Sequence, residues 1–334
     1  MGKETLAVVD SKKLSTKKIT YRTMQMEDMP GILRLWEEHS GWGAITEEKF
    51  RSWYLETPLG PCITVVAVDQ NQNIVGQVIL APSILSLDGE PVRVLKALAP
   101  ILDGVIRKDS LTQTSHPIFE MARVANQAAR IQGYHFVYSF PAYGWVSLFK
   151  TFPKFGLPEC LNTLYSCMAI PVEPFSGLPD YQVELLDSFG EELDSFFVQA
   201  SSNLPFRCLL NRDARWLNWK WGEDIKWGVR DLEGNVLGFL VIDPKSHLVK
   251  DALALSEKHF ALLFKLIINQ LSSQKESWKI SQIKVMYTPF MENVLSEFEL
   301  EKVPFQFAFN VYSVSEKYEF SALKLDNWYM MPTD

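Results

Sequence analysis

The feature that most constrains this chain is a hairpin that occurs twice. Ile63-Thr64-Val65-Val66-Ala67-Val68 is a β-branched run, Asp69-Gln70-Asn71-Gln72-Asn73 is a turn, and Ile74 to Leu80 returns as a second strand. The same order comes back at Lys226 to Arg230, Asp231-Leu232-Glu233-Gly234-Asn235 and Val236 to Val241. Asn73-Ile74-Val75-Gly76 stands in register with Asn235-Val236-Leu237-Gly238, and Pro141 and Pro289 end later strands at a similar spacing. Two features in register predict a duplicated unit of roughly 150 residues, an ordinary domain size. The 334 residues hold two such units. The Pro- and Gly-containing stretch Pro171 to Pro179 places the boundary. The expected division is a polar, Lys-rich mobile arm over 1–18, a first domain over 19–170 and a second over 171–334.

Other elements surround the hairpins. Ile19 to Arg22 alternates as a short strand, and Met26-Glu27-Asp28-Met29-Pro30 opens a helix whose buried face is Ile32, Leu33, Leu35 and Trp36. A second helix starts at Thr46 and turns Phe50, Trp53 and Tyr54 inward. Val92 to Leu102 is a strand and 103–115 a loop. Pro117 opens a helix that runs to about Gln132, with Gly133 at its end. Phe136 to Ser139 is a strand, Pro141 stops it, and Trp145 to Lys150 is a short helix. In the second half, Ser256 heads a helix with Phe260, Leu263, Phe264, Ile267, Ile268 and Leu271 on one face. Ile283 to Tyr287 is the strand that follows.

Composition removes several functional classes. With 47% apolar and 22% charged residues the chain can bury a sizeable core. The net charge of -7 makes nucleic acid an improbable partner. Cys62, Cys160, Cys167 and Cys208 include no CxxC pair, the five histidines form no HxxxH, and no metal is expected. No GxSxG, GxxxxGK[ST] or GxGxxG occurs. The first residues lack the apolar core of a signal peptide, and Phe260 to Ile268 contains Lys265 and is too short to span a bilayer. The expectation is a cytoplasmic protein with reduced thiols.

The element order resembles the GNAT N-acyltransferase superfamily, in the tandem, Fem-like two-domain arrangement of bacterial members. Phe140-Pro141-Ala142-Tyr143-Gly144-Trp145, leading to Phe149-Lys150 and Phe155-Gly156-Leu157, is similar to that family's passage from fifth strand to fourth helix. Asn211 to Trp221, with Leu217-Asn218-Trp219-Lys220, resembles a leucine-asparagine-tryptophan-arginine motif that opens the second domain of tandem members. Asp326-Asn327-Trp328-Tyr329 to Asp334 resembles their C-terminal strand. The resemblance covers nearly the whole chain after residue 18. It implies an α/β fold of the α+β mixed-sheet kind, with two tandem GNAT-like domains, each a mixed, mostly antiparallel sheet flanked by helices.

The activity so implied is acyl transfer from acetyl-CoA or another acyl-CoA, the cosubstrate, to an amine on a small molecule or peptide. Such chemistry needs a splayed sheet whose strand edge takes the pantetheine arm, N–H groups at a helix N-terminus for the pyrophosphate, and an acid and a base. The family's Gln/Arg-x-x-Gly-x-Gly/Ala loop falls on Gln113-Thr114-Ser115-His116-Pro117-Ile118. Gln113 matches; His116 and Ile118 replace small residues, and Pro117 removes a donor. Thr114, Ser115 and His116 offer side-chain hydrogen bonds, and Arg107 and Lys108 offer charge. The second half has no glycine in the corresponding 253–259, so the first half is the candidate cofactor domain. The implied cofactor-binding set is Val105, Gln113, Thr114, Ser115, His116 and Ser147, with Tyr143 as general acid and His116 as a weaker catalytic candidate. His116 also reads as a helix-start residue and Tyr143 as a packing aromatic. Trp216, Trp219 and Trp221 line an acceptor cleft or fill core. Two alternatives stay open: a catalytically silent GNAT-like scaffold that binds a small ligand or protein, and a Fem-type aminoacyl transferase.

Overall fold

A computed structural model of the chain describes residues 19–108, 116–274, 278–318 and 323–332. The expected arm over 1–18 and the candidates Gln113, Thr114 and Ser115 lie outside the described residues.

The first hairpin forms because every side chain of β2 (Ile63–Val68) is buried. A strand covered on both faces reads as a continuous apolar run. β2 pairs antiparallel with β1 (Thr20–Thr23) and with β3 (Ile74–Leu87), and β3 pairs with β4 (Glu90–Leu102). On one face lie α1 (Met29–His39) and α2 (Glu47–Phe50), with Ile32, Leu35, Trp36 and Phe50 packed on Val66, Ile79 and Ile101. The other face is covered by α3 (Pro117–Ile131), which sets Phe119, Met121 and Ala125 on Val65, Ala67 and Leu95. β5 (Phe136–Ser139) then pairs parallel with β4. After it come a 3-10 turn over Tyr143–Trp145, α4 (Val146–Phe149) and β6 (Leu161–Pro171).

The second half opens with β7 (Gln182–Leu186), α5 (Glu192–Asn203), β8 (Cys208–Leu210) and α6 (Ala214–Lys220). β9 (Ile225–Arg230), β10 (Val236–Ile242) and β11 (Val249–Ala254) follow. The order β11-β10-β9-β7 makes a four-stranded antiparallel sheet. α7 (Glu257–Ser273) leads to β12 (Gln282–Tyr287), α8 (Pro289–Val294), β13 (Glu301–Ser313) and β14 (Trp328–Tyr329).

The two repeated turns are built alike. Asp69 Oδ1 accepts from the Asn73 N–H at 2.9 Å, and Asn73 Nδ2 donates to Asp69 Oδ2 at 3.2 Å. Asp231 and Asn235 make the same two bonds at 2.7 and 2.8 Å. The residue before each asparagine takes a positive φ, 64° at Gln72 and 89° at Gly234. The repeated glycine also has a steric reason. A Cβ on Gly76 would come within 2.7 Å of Leu102 Cδ2, and one on Gly238 within 2.8 Å of the Leu253 carbonyl oxygen. The second contact is with backbone, which cannot turn aside.

The larger sheet joins the two halves. Its order is β1-β2-β3-β4-β5-β13-β6-β12, with β8 paired to β3 and β14 paired to β8. β13 therefore lies between β5 and β6, antiparallel to both. β6 in turn pairs antiparallel with β12. Each half lends the strand after its short post-proline helix to the other. β6 and β13 alternate unevenly in burial, and neither was among the strands expected from sequence.

A buried ion pair locks the second half. Arg212 and Asp251, both 1% exposed, bond Nε to Oδ1 at 2.8 Å. Asp251 Oδ2 accepts from Trp221 Nε1 at 3.1 Å, and Arg212 Nη1 donates to the Leu210 carbonyl at 2.8 Å. Asp213 caps α6 by accepting from the Trp216 N–H, and Lys226 Nζ donates to the carbonyls of Trp221, Gly222 and Asp224 beyond its last turn.

Arg212→Met is expected to destabilise the chain by about 3–5 kcal/mol in urea unfolding, because Asp251 stays buried without its ion partner. Because β13 completes the first half, the full chain is expected to unfold in one transition. A chain ended after residue 172 should show no cooperative transition in circular dichroism, since β5 and β6 then lack the strand between them.

Candidate functional site

The site begins where β4 and β5 part. Their parallel pairing covers Val94–Phe136, Leu95–Val137 and Lys96–Tyr138 only. β4 runs on from Ala97 to Leu102, whereas β5 ends at Ser139. Past Lys96, that edge of β4 pairs with no strand among the described residues. The result is a V that opens toward the loop after β4. A bulge sits inside it: Ile79 pairs with Leu98, but Gln77 pairs with Ile101. Ala99 takes φ 43°, the left-handed region that a residue with a Cβ enters only when its surroundings hold it there. Gln77, fully buried, points its Nε2 at the Ala99 carbonyl at 3.5 Å. Lys96, at the fork, has its ammonium 5.8 Å from the Phe140 ring. Sequence periodicity showed a strand here and no bulge. Ala-Pro at 99–100 is the only local trace, since Pro100 has no N–H for a regular ladder.

The described candidate residues fall around this V. Val105 is exposed in the turn after β4. His116 is 2% exposed and caps α3: its Nδ1 accepts from the Ile118 N–H at 3.3 Å, and its ring meets Phe119 edge-on. The Phe119 and Glu120 N–H groups donate to the His116 carbonyl at 2.9 and 3.4 Å, and Pro117 has none. The first-turn donors of α3 are thus engaged within the chain. Tyr143 is 65% exposed in the turn that follows β5. Ser147, one turn on, is exposed and donates from Oγ to the Gly144 carbonyl at 3.3 Å. Tyr143 and Ser147 therefore share one segment, while His116 is packed at the head of α3.

The second half has a matching opening with a different content. The residue before β11, Leu248, forms an isolated parallel bridge with Lys284 of β12, and β11 itself has no ladder with β12 among the described residues. The Leu255 N–H bonds the Leu237 carbonyl, so by antiparallel alternation Ala252 turns its backbone groups away from β10. Both are met by the chain itself. The Tyr329 hydroxyl donates to the Ala252 carbonyl, and the Ala252 N–H donates to Asp251 Oδ1 at 3.0 Å. Tyr329 packs with Phe206, Phe260 and Phe290, with ring centroids 4.9–6.0 Å apart across the group. Trp216, Trp221 and the partly buried Trp219 belong to the core of this half, and Trp219 Nε1 also donates to the Ser52 carbonyl at 3.2 Å. Ser256 heads α7 but turns its hydroxyl to His259 Nδ1 at 2.8 Å.

Burial decides the state of the thiols. It pushes Cys62, Cys160 and Cys208 up to about 12, well above the ordinary thiol range. They stay protonated at neutral pH and supply no nucleophile. Among the described residues no group of three or more His, Cys, Asp and Glu side chains is arranged to hold a metal ion, and no helix is long and apolar enough to cross a membrane.

No family model matches the sequence, and no curated protein matches it. Solved structures do. A GCN5-related N-acetyltransferase from Anabaena variabilis superposes with a TM-score of 0.65 at 10% identity, over 89% of this chain and 73% of that one. Eis1 from Mycobacterium abscessus gives 0.58 at 13% identity, over 88% and 74%. The Saccharomyces cerevisiae N-myristoyltransferase with bound myristoyl-CoA gives 0.56 at 11% identity, over 88% and 78%. The chain has the GNAT-like fold that its element order resembled.

The raised thiols give a pH prediction. The folded chain holds these protons to about pH 12, whereas an unfolded thiol releases its proton near 9. Stability should therefore fall as pH rises above about 9, measured as the urea midpoint. At pH 8 a thiol-specific dye should label the folded chain far more slowly than the chain in urea, which exposes four cysteines.

Proposed function

We propose that the chain is an acyl-CoA-dependent N-acyltransferase that uses only its first half to hold the cosubstrate. The observation that carries this reading is the contrast between the two openings. Among the described residues, the V between β4 and β5 leaves the bulged edge at Ala97–Leu102 without a partner strand, the arrangement that accepts an extended arm as an added strand. The equivalent edge of β11 is bonded by Tyr329 and Asp251. The solved structures of similar fold support acyl transfer as the class of reaction.

In this reading the arm of acetyl-CoA or a longer acyl-CoA lies along β4 and brings its thioester to the bulge. Tyr143 stands on the segment that follows β5 and protonates the departing thiolate; Ser147 orients that segment or the cosubstrate. The pyrophosphate is held by Val105 and 113–116, with Arg107 and Lys108 supplying charge. His116 contributes there as the cap of α3. The acceptor is an amine of a small molecule or peptide. The units 19–170 and 171–334 act as one body, the second supplying β13 to the first.

A second reading has its own observation. The first-turn N–H groups of α3 are spent on His116, and Pro117 has none, so the helix start offers a phosphate few donors. A silent scaffold of the same fold would look like this. Calorimetry separates the two. Acetyl-CoA or a longer acyl-CoA is expected to bind at micromolar to millimolar concentration, and Tyr143→Phe to lower turnover about a hundredfold or more with little change in binding. No binding of any acyl-CoA at millimolar concentration would sink the transferase and leave the scaffold.

A further inference from the structure

A glutamine lies where the packing calls for an aliphatic residue. Gln77 of β3 stands opposite Val66 of β2 on one side and Ile101 of β4 on the other, and it shares their face with Ile79. Val66, Ile79 and Ile101 pack under α1 with Ile32, Leu35 and Trp36. Gln77 is fully buried in this apolar layer. One end of its amide is used, since Nε2 donates to the Ala99 carbonyl at 3.5 Å. The other end is not: Oε1 is buried and has no hydrogen-bond partner among the described residues. A buried amide met at one end stabilises a fold less than an apolar side chain of its volume. Folding alone therefore gives no reason for an amide at this place.

Its one partner supplies a reason. The register between β3 and β4 passes from Ile79–Leu98 to Gln77–Ile101, so Ala99 and Pro100 share the place opposite Val78. A residue before a proline favours extended backbone. Ala99 instead takes φ 43°, where its Cβ is crowded. Two preferences are overridden at one residue, and the side chain that reaches its carbonyl is Gln77. The edge concerned is the one that pairs with no strand past Lys96 among the described residues.

We propose that Gln77 is a positioning residue for acyl transfer: its amide holds Ala99 in the left-handed conformation and so shapes the β4 edge that receives the thioester. The inference rests on the reading of that edge as the seat of the acyl-CoA arm. Gln77 touches no substrate. It acts through the backbone of β4, from the β3 side of the strand, while the arm lies on the β5 side. Pro100 has no N–H, so the donors of the bulge are those of Leu98 and Ala99, and the φ of Ala99 sets how they are aimed. An aliphatic residue at 77 packs at least as well and lets Ala99 relax toward extended backbone. The fold then keeps its stability and the edge loses its shape.

The test is calorimetry of the full chain with acetyl-CoA and with adenosine 3′,5′-bisphosphate, which lacks the arm. Gln77→Met keeps the length of the side chain and removes the amide. It is expected to weaken acetyl-CoA about fivefold to tenfold, the size of one hydrogen bond, and to leave the bisphosphate unchanged. Its melting temperature should stay level or rise, which a merely structural role for the amide would not allow. Adding Ala99→Gly to Gln77→Met should recover most of the lost affinity, because glycine enters the left-handed region freely. Equal acetyl-CoA affinity in the folded variant overturns the role of Gln77 and leaves the transferase standing. So does an equal loss for both ligands, or a loss that Ala99→Gly does not recover. If Gln77→Met fails to fold, Gln77→Leu decides by the same measurements. Wild-type protein that ignores acetyl-CoA overturns the parent reading and this role with it.

Discussion

The rest of the structure depends on the pairing of β13 with β5 and β6. β5 is only Phe136–Ser139, and its parallel contact with β4 covers three residue pairs. Without β13 on its other edge it could not be held in place while parting from β4. Antiparallel pairing over Phe136–Ser139 supplies that second support. The strand can therefore diverge from β4 on one side because it is held on the other. An opening in the middle of a sheet otherwise exposes backbone groups at a free-energy cost.

The exchange also explains how two similar halves come to differ. Each half carries a pair of parallel strands that separate, and each receives a strand from the other. In the second half the C-terminal strand β14 brings Tyr329 to the open edge, and Arg212 and Asp251 are buried beneath it. The Arg212 guanidinium lies 5.0 Å from the Tyr329 ring, so the ion pair and the plug support one another. In the first half that edge of β4 pairs with no strand among the described residues, and its bulge at Ala99 keeps a strained backbone conformation. Stability is concentrated in one opening, and conformational strain in the other.

Much of this was legible in the sequence, for identifiable reasons. β2 and β10 are buried on both faces, so their apolar runs stand out. The Asp-x-x-x-Asn turns recur because the same side-chain bonds close both hairpins. α3 and α7 carry broad apolar faces and clear starts at Pro117 and Ser256. β6 and β13 were not legible. Each crosses from one core to another, so its burial pattern changes along its length and neither a period of two nor a continuous run appears. Their pairing joins Asn162 to Asn310, a separation that no local pattern reports. The site was legible to the extent that it is local. The candidates Tyr143 and Ser147 follow a recognisable strand end, whereas the bulge at Ala99 and the Tyr329 contact to β11 are properties of strands that meet only in three dimensions.

The position of β13 has a consequence for synthesis. The residues that flank it in space, Ser139 and Asn162, leave the ribosome long before Asn310 does. At about 5–20 residues per second, roughly 10 to 30 s separate the two. Throughout that interval β5 and β6 of the nascent chain wait for the strand that pairs with both. Unpaired strand edges are templates for wrong partners. A chain of this design needs protection during translation from other nascent chains, and above all from the β13 of a neighbouring copy, whose insertion would yield an exchanged dimer.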